Sequence, residues 1–214
     1  HFGVPLIPHT LGNVVNNAVD KVFITNLVGL ADTGLYTIGY QFGAIIGLLE
    51  NAFNNAFVPW LFEKLSKGND KDKLKIVRFT YLYFILILTI AGALTLLSPF
   101  ILRVMVAEEF QGAVIYVFWI ALAYAFSGMY KMVVNYIFYA EKTYLLSLVT
   151  ATKTVLNIVL NYILIKANGP LGAAQATAIS FFLGFLMTWV LSARAYKMPW
   201  EGGFFELFKL NGRS

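Results

Sequence analysis

The chain contains no cysteine, and its two histidines, His1 and His9, both lie in the opening segment. Disulfides and thiolate metal sites are therefore excluded, and histidine chemistry is confined to that segment. Charge is scarce too: only 13% of residues are charged, about half the share usual in a soluble domain. The sequence also lacks a phosphate-cradling glycine loop and any cluster with metal-ligand spacing, so nothing in it resembles an enzyme site or calls for a cofactor. The net charge of +5 would point to nucleic acid in a soluble protein, but the basic residues fall largely between apolar runs. That placement speaks for membrane orientation and against a nucleic-acid partner.

What is present is apolar. Hydrophobic residues make up 59% of the chain and the mean hydropathy is +0.70, the composition of an integral membrane protein. A helix needs about 20 mostly apolar residues to cross the hydrocarbon core. Runs of that kind predict an all-α polytopic protein with six spans, at about 9–29, 34–62, 75–98, 112–140, 143–166 and 171–195. Turn chemistry marks the breaks: "GLADTG", "KGNDKDK", an "SP" that closes the third span, "AEKT" and "ANGP". The opening "HFGVPLIPHT" has neither an initiator methionine nor a signal-peptide pattern, so the expectation is a piece of a longer protein.

Orientation follows from lysine and arginine. The 63–78 connection holds Lys64, Lys67, Lys71, Lys73, Lys75 and Arg78, whereas 30–33 and 167–170 hold none. With Arg194 and Lys197 on the same side as the basic loop, both ends of the segment are expected to be cytoplasmic. Trp60 and Trp200 fall near that interface and Trp119 near the other. The residues after the sixth span, 199–214, read as a cytoplasmic tail whose "FFELFKL" could lie flat on the surface.

Polar residues inside the spans recur at helical spacing. Asn13, Asn16, Asn17, Asp20 and Lys21 share one side of the first span. Glu50 lies within the second, with Asn51, Asn54 and Asn55 one turn on. Ser127, Lys131 and Asn135 stack at four-residue steps in the fourth, and Thr150, Lys153, Thr154, Asn157 and Asn161 repeat the device in the fifth. The third span, from Phe79 to Leu97, has no charge and reads as a lipid-facing buttress. Burying Asp20, Lys21, Glu50, Lys131 and Lys153 against lipid would cost on the order of 10–15 kcal/mol. They are therefore expected to line a shared cavity with Asn13, Asn17, Asn54, Asn135, Asn157 and Asn161.

Blander readings stand beside this one. Asn51, Asn55, Thr150 and Thr154 suit plain hydrogen bonding between helices, and Lys131 is at the edge of snorkelling range. Asp20 and Glu50 are either ion-pair partners of lysines on other helices or groups that exchange protons or hold a cation. Gly39, Gly43 and Gly47, like Gly172, Ala176, Ser180 and Gly184, repeat every fourth residue and let helices approach closely. The glycines of the second span could equally form a hinge, and Pro59 could bend or end it.

The opening "PLIPHTLGNVVNNAVDKVFI" and the following "GLADTGLYTIGYQFGAIIGLLENAFNNAFVPWLFEKL" resemble the seventh and eighth transmembrane helices of bacterial polysaccharide flippases of the O-antigen (Wzx) type. Their superfamily also holds multidrug and toxin extrusion transporters and lipid II flippases. "GLYTIGYQ" and "FVPWLFEKL" are the most specific phrases; "LSPFILRVMVAEEFQGA" and "GPLGAAQATAIS" are similar to later segments of the same superfamily. The resemblance implies the C-terminal six-helix half of a twelve-helix alternating-access transporter in the bacterial inner membrane. The implied substrate is undecaprenyl-pyrophosphate-linked oligosaccharide, and the implied partners are membrane lipid, the N-terminal six-helix bundle and the polysaccharide polymerase machinery. It also implies a cationic cavity, carried here by Lys21, Lys131 and Lys153. Where relatives usually have aspartate-arginine, this chain has Asp20 and Lys21, and lysine lacks the bidentate fork suited to phosphate. A multidrug or cation-coupled exporter is the nearest alternative. A membrane glycan polymerase or ligase would need a larger loop than 99–111.

Overall fold

The computed structural model describes residues 19–203, which are helical almost throughout and contain no strand. Helix α1 occupies 19–27, α2 Leu30–Gly43, α3 Ile45–Ser66 and α4 Asp70–Met105. A 3-10 segment, Glu108–Ala113, leads into α5, Val114–Tyr139; α6 is Tyr144–Asn168, α7 is Leu171–Ala195, and 200–203 form one further turn. Among the described residues, four helical stretches are long and apolar enough to cross a membrane: Asp70–Met105, Glu108–Tyr139, Tyr144–Asn168 and Leu171–Ala195.

Several span boundaries differ from those read in the sequence. The first expected span begins among residues outside the described part. The second is broken at Ala44 into helices of 14 and 22 residues, the first about 21 Å long and too short to cross alone. Hydrogen bonding continues through the break, from Ala44 N–H to the Tyr40 carbonyl and from Gly47 N–H to the Ala44 carbonyl, both at 2.8 Å. The second of these is an i to i+3 bond, a local tightening that re-aims the helix without unravelling it. α3 runs on past Pro59 to Ser66.

Two expected loops are helical. Within "GLADTG" only Gly29 breaks the chain, at φ 152 and ψ 169, a region open to glycine alone, and α2 starts at the next residue. Pro99 does not close the third span, because α4 continues to Met105. Proline removes the amide that would have bonded the Thr95 carbonyl, and the Ser98 hydroxyl donates to that carbonyl instead, at 2.8 Å. At the other end, Asn69 caps α4 by accepting from the Lys71 amide at 3.0 Å.

α5 is the central helix, packed on α2, α3, α4 and α7, while α6 is held mainly by α7. The glycine stripe explains how α2 and α3 reach it. A Cβ on Gly39 would sit 2.7 Å from Tyr116 Cβ, one on Gly43 2.6 Å from Ile120 Cβ, and one on Gly47 2.7 Å from the Tyr124 ring. Each step of four residues along the stripe matches a step of four along α5, so the two run parallel in register. α4 shows the opposite character: Leu82, Ile85, Leu86, Leu96, Leu97, Phe100 and Val104 are exposed along its length. Trp200 turns inward, with its ring 5.5 Å from Trp189, 5.7 Å from Tyr136 and 6.3 Å from Tyr81. The "FFELFKL" segment lies outside the described residues.

Candidate functional site: two polar seams in the bundle

The polar residues of the spans gather at two seams rather than one. The first is built around Asp20 on α1, which is 1% exposed. Its Oδ2 accepts from the Tyr36 hydroxyl of α2 at 2.6 Å and from the Thr177 hydroxyl of α7, and its Oδ1 accepts from Asn161 Nδ2 of α6 at 2.8 Å. One carboxylate thus joins four helices. Asn161 Nδ2 also donates to the Asn157 carbonyl at 2.9 Å and lies 3.2 Å from Asn157 Oδ1. Asn161 Oδ1 is buried without a hydrogen-bond partner among the described residues. Among the described residues no lysine or arginine forms an ion pair with Asp20.

Chemically this is a polar node with a single formal charge, the Asp20 carboxylate, met by two hydroxyls and the Asn161 amide, with Asn157 behind it. The described residues contain no group of three or more His, Cys, Asp or Glu that could hold a metal. A divalent ion generally needs more carboxylates than one.

The second seam joins α3 to α5. Glu50, 2% exposed, accepts at Oε1 from the Ser127 hydroxyl at 2.9 Å and forms an ion pair with Lys131 Nζ at 3.2 Å. Lys131 Nζ also donates to Asn51 Oδ1, and one turn further Asn135 Nδ2 donates to Asn54 Oδ1 at 3.0 Å. Gly128 makes this possible: a Cβ there would lie 2.8 Å from the Tyr83 hydroxyl oxygen and 3.1 Å from Glu50 Oε2. Glu50 Oε2 has no hydrogen-bond partner among the described residues, and the Lys131 side chain keeps 22% of its surface open. The seam therefore has a buried carboxylate end and a lysine side chain partly open to the outside.

Tyrosines lie between the seams. Tyr40 and Tyr124 share a hydrogen bond at 2.9 Å, Tyr40 stands 5.9 Å from Tyr36, and Tyr124 packs on the α3 backbone at Gly47. The other two lysines engage rings. Lys21 Nζ is 5.7 Å from the centroid of Tyr40 and Lys153 Nζ 4.5 Å from that of Phe181, a cation-π distance in each case. The Lys153 stem lies along Gly184, where a Cβ would come within 3.1 Å of its Cδ. Asn13 and Asn17 lie outside the described residues.

Tyr36, Thr177 and Asn51 belong to these seams but do not stand out among the sequence candidates. Asn51 has a sequence signal, its adjacency to Glu50. Tyr36 has a weak one, the four-residue step to Tyr40. Thr177, in the small-residue run "GAAQATAIS", has none.

No family model matches the chain. It is similar to a Haemophilus influenzae protein named "Uncharacterized membrane protein", 33% identical over 156 residues that make up 72% of this chain and 38% of that protein. It is also similar to protein 1 of the Lsg locus of Haemophilus influenzae, 27% identical over 161 residues, 73% of this chain and 39% of that protein. The matched part thus spans well under half the length of these relatives. With its apolar helices and these relatives, the chain is a helical membrane protein.

Proposed function

We propose that the chain is one helical bundle of a flippase that carries undecaprenyl-pyrophosphate-linked oligosaccharide from the cytoplasmic to the outer leaflet of the bacterial inner membrane. The observation that supports this most is the Lys131–Glu50 pair, a partly open lysine held against a buried carboxylate at the edge of a polar seam. An anionic head group entering beside α3 and α5 competes with Glu50 for Lys131, while Asn51, Asn54 and Asn135 offer amides to sugar hydroxyls. Displaced from its cation, Glu50 is a buried carboxylate that must find a proton or another cation, which links substrate binding to a second charge movement.

In this reading α1 through α7 are six spans, α2 and α3 counting as one bent span, and both ends of the segment face the cytoplasm. The seams face an N-terminal bundle, for which the greater length of the relatives leaves room. The Asp20 site, with Tyr40 and Tyr124 between it and the second seam, holds the coupling proton or monovalent cation.

The test follows lipid-linked oligosaccharide in a bacterium deleted for the full-length gene but with its glycosyltransferases intact. The expected result is accumulation on the cytoplasmic leaflet, relieved by the wild type and not by Lys131→Ala at equal protein level. Unchanged leaflet distribution on deletion would overturn the flippase reading and favour a cation-coupled exporter of small molecules.

A further inference from the structure

Beside the second seam, α3 and α4 flank an open apolar groove of about 390 Å³ lined by Phe53, Ala56, Phe57, Trp60 and Phe79. Its floor is built of rings in mutual contact: Phe53 and Phe57 each lie within 6.0 Å of Phe79, and Phe57 and Trp60 are 5.6 Å apart. Trp60 and Phe79 remain 38% and 40% exposed. Phe53, Ala56, Phe57 and Trp60 follow the three- and four-residue steps of one helix face, so the groove runs lengthwise along α3. Such a slot offers water no partners, and in a bilayer it is filled by hydrocarbon.

The end of the groove carries charge. Lys64 lies one turn beyond Trp60 on α3, and Lys75 one turn before Phe79 on α4, so each sits on the same helix face as a ring of the groove. The segment 63–78 holds six basic and three acidic residues. The acids are engaged locally: Glu63 with Lys67, Asp70 with Lys73 at 3.2 Å, and Asp72 with Lys64 at a loose 3.7 Å. Lys75 is exposed and forms no ion pair among the described residues. An apolar slot that ends at two lysines and an excess of positive charge matches one kind of molecule, a hydrocarbon chain with an anionic head.

We propose that this groove binds an acidic phospholipid, with one acyl chain along Phe53, Phe57, Trp60 and Phe79 and its phosphate between Lys64 and Lys75. The inference is independent of what the protein transports. Its head-group preference comes from the lysines and its retention from the slot, so the two are separable by mutation.

The experiment is native mass spectrometry of the full-length protein in detergent, with phosphatidylglycerol and phosphatidylethanolamine of identical chains added separately. The expected result is one phosphatidylglycerol retained at several-fold higher occupancy than phosphatidylethanolamine. Lys64→Gln with Lys75→Gln removes that preference, about fivefold for each cation. Ala56→Trp, which fills the slot from an exposed position, lowers retention of both lipids. Equal retention of the two lipids by the unchanged protein, or a preference that survives the double lysine change, overturns the proposal. Displacement of phosphatidylglycerol by a lower concentration of a polyprenyl phosphate overturns it as well, because the slot would then belong to a prenyl chain. The lysine variant lies on the surface, so the outcome does not depend on Ala56→Trp folding.

Discussion

Asp20 and Glu50 are both carboxylates within a membrane bundle, almost equally buried at 1% and 2% exposure, yet their surroundings differ in charge. Asp20 is met by two hydroxyls and an amide from three other helices, without an ion pair among the described residues. Glu50 is met by an ammonium and a hydroxyl from one helix, α5, and one of its oxygens has no hydrogen-bond partner among the described residues. The first arrangement ties helices together around a single charge. The second is a pair that can exchange partners, since Lys131 is partly open and leaves a carboxylate behind when it is drawn away.

The largest expected effect comes from removing the Asp20 joint. Asp20→Leu leaves the Tyr36 and Thr177 hydroxyls and the Asn161 amide without their acceptor, for a loss of about 3 to 6 kcal/mol. Equilibrium unfolding in mixed micelles should show it, and a loss below about 1 kcal/mol would mean that the node does not hold the helices.

The second seam should behave as a pair. Lys131→Met strands Glu50 in the bundle and should cost about 2 to 4 kcal/mol, while Glu50→Gln combined with Lys131→Met should recover most of it. Leaflet transport should stay lost in the double variant. Recovery of transport together with stability would place the pair in structure alone.

Helix contact comes next. Gly43→Leu drives a side chain into Ile120, where even a Cβ would be 2.6 Å away, and should cost about 1 to 3 kcal/mol by parting α2 from α5. Gly34 is in the same helix with nothing within 4 Å of its Cβ position. Gly34→Ala should stabilise by about 0.5 kcal/mol, the smallest effect and of opposite sign. If both glycines respond alike, close packing is not what distinguishes the stripe.

Much of this was legible beforehand for particular reasons. Four-residue steps put Lys131 and Asn135 on one face of α5, and Glu50 with Asn54 on one face of α3, because helical periodicity acts locally. The glycine stripe showed for the same reason that something must approach α2 and α3 closely. Pro99 misled the reading because its effect depends on whether a neighbour takes up the freed carbonyl. Ser98 does so here, and that is a matter of side-chain geometry.

Composition and charge spacing by themselves determined an all-helical membrane protein with polar faces inside its helices, because burial of apolar surface and the cost of charge in lipid leave few options. Only the tertiary structure decided that these faces divide into two seams, that Asp20 meets Tyr36, Asn161 and Thr177 while Glu50 meets Lys131, and that Lys21 and Lys153 rest on rings. The spacing of residues along a helix fixes which side they share, but which other helix stands opposite depends on long-range packing around α5, and no local pattern encodes that.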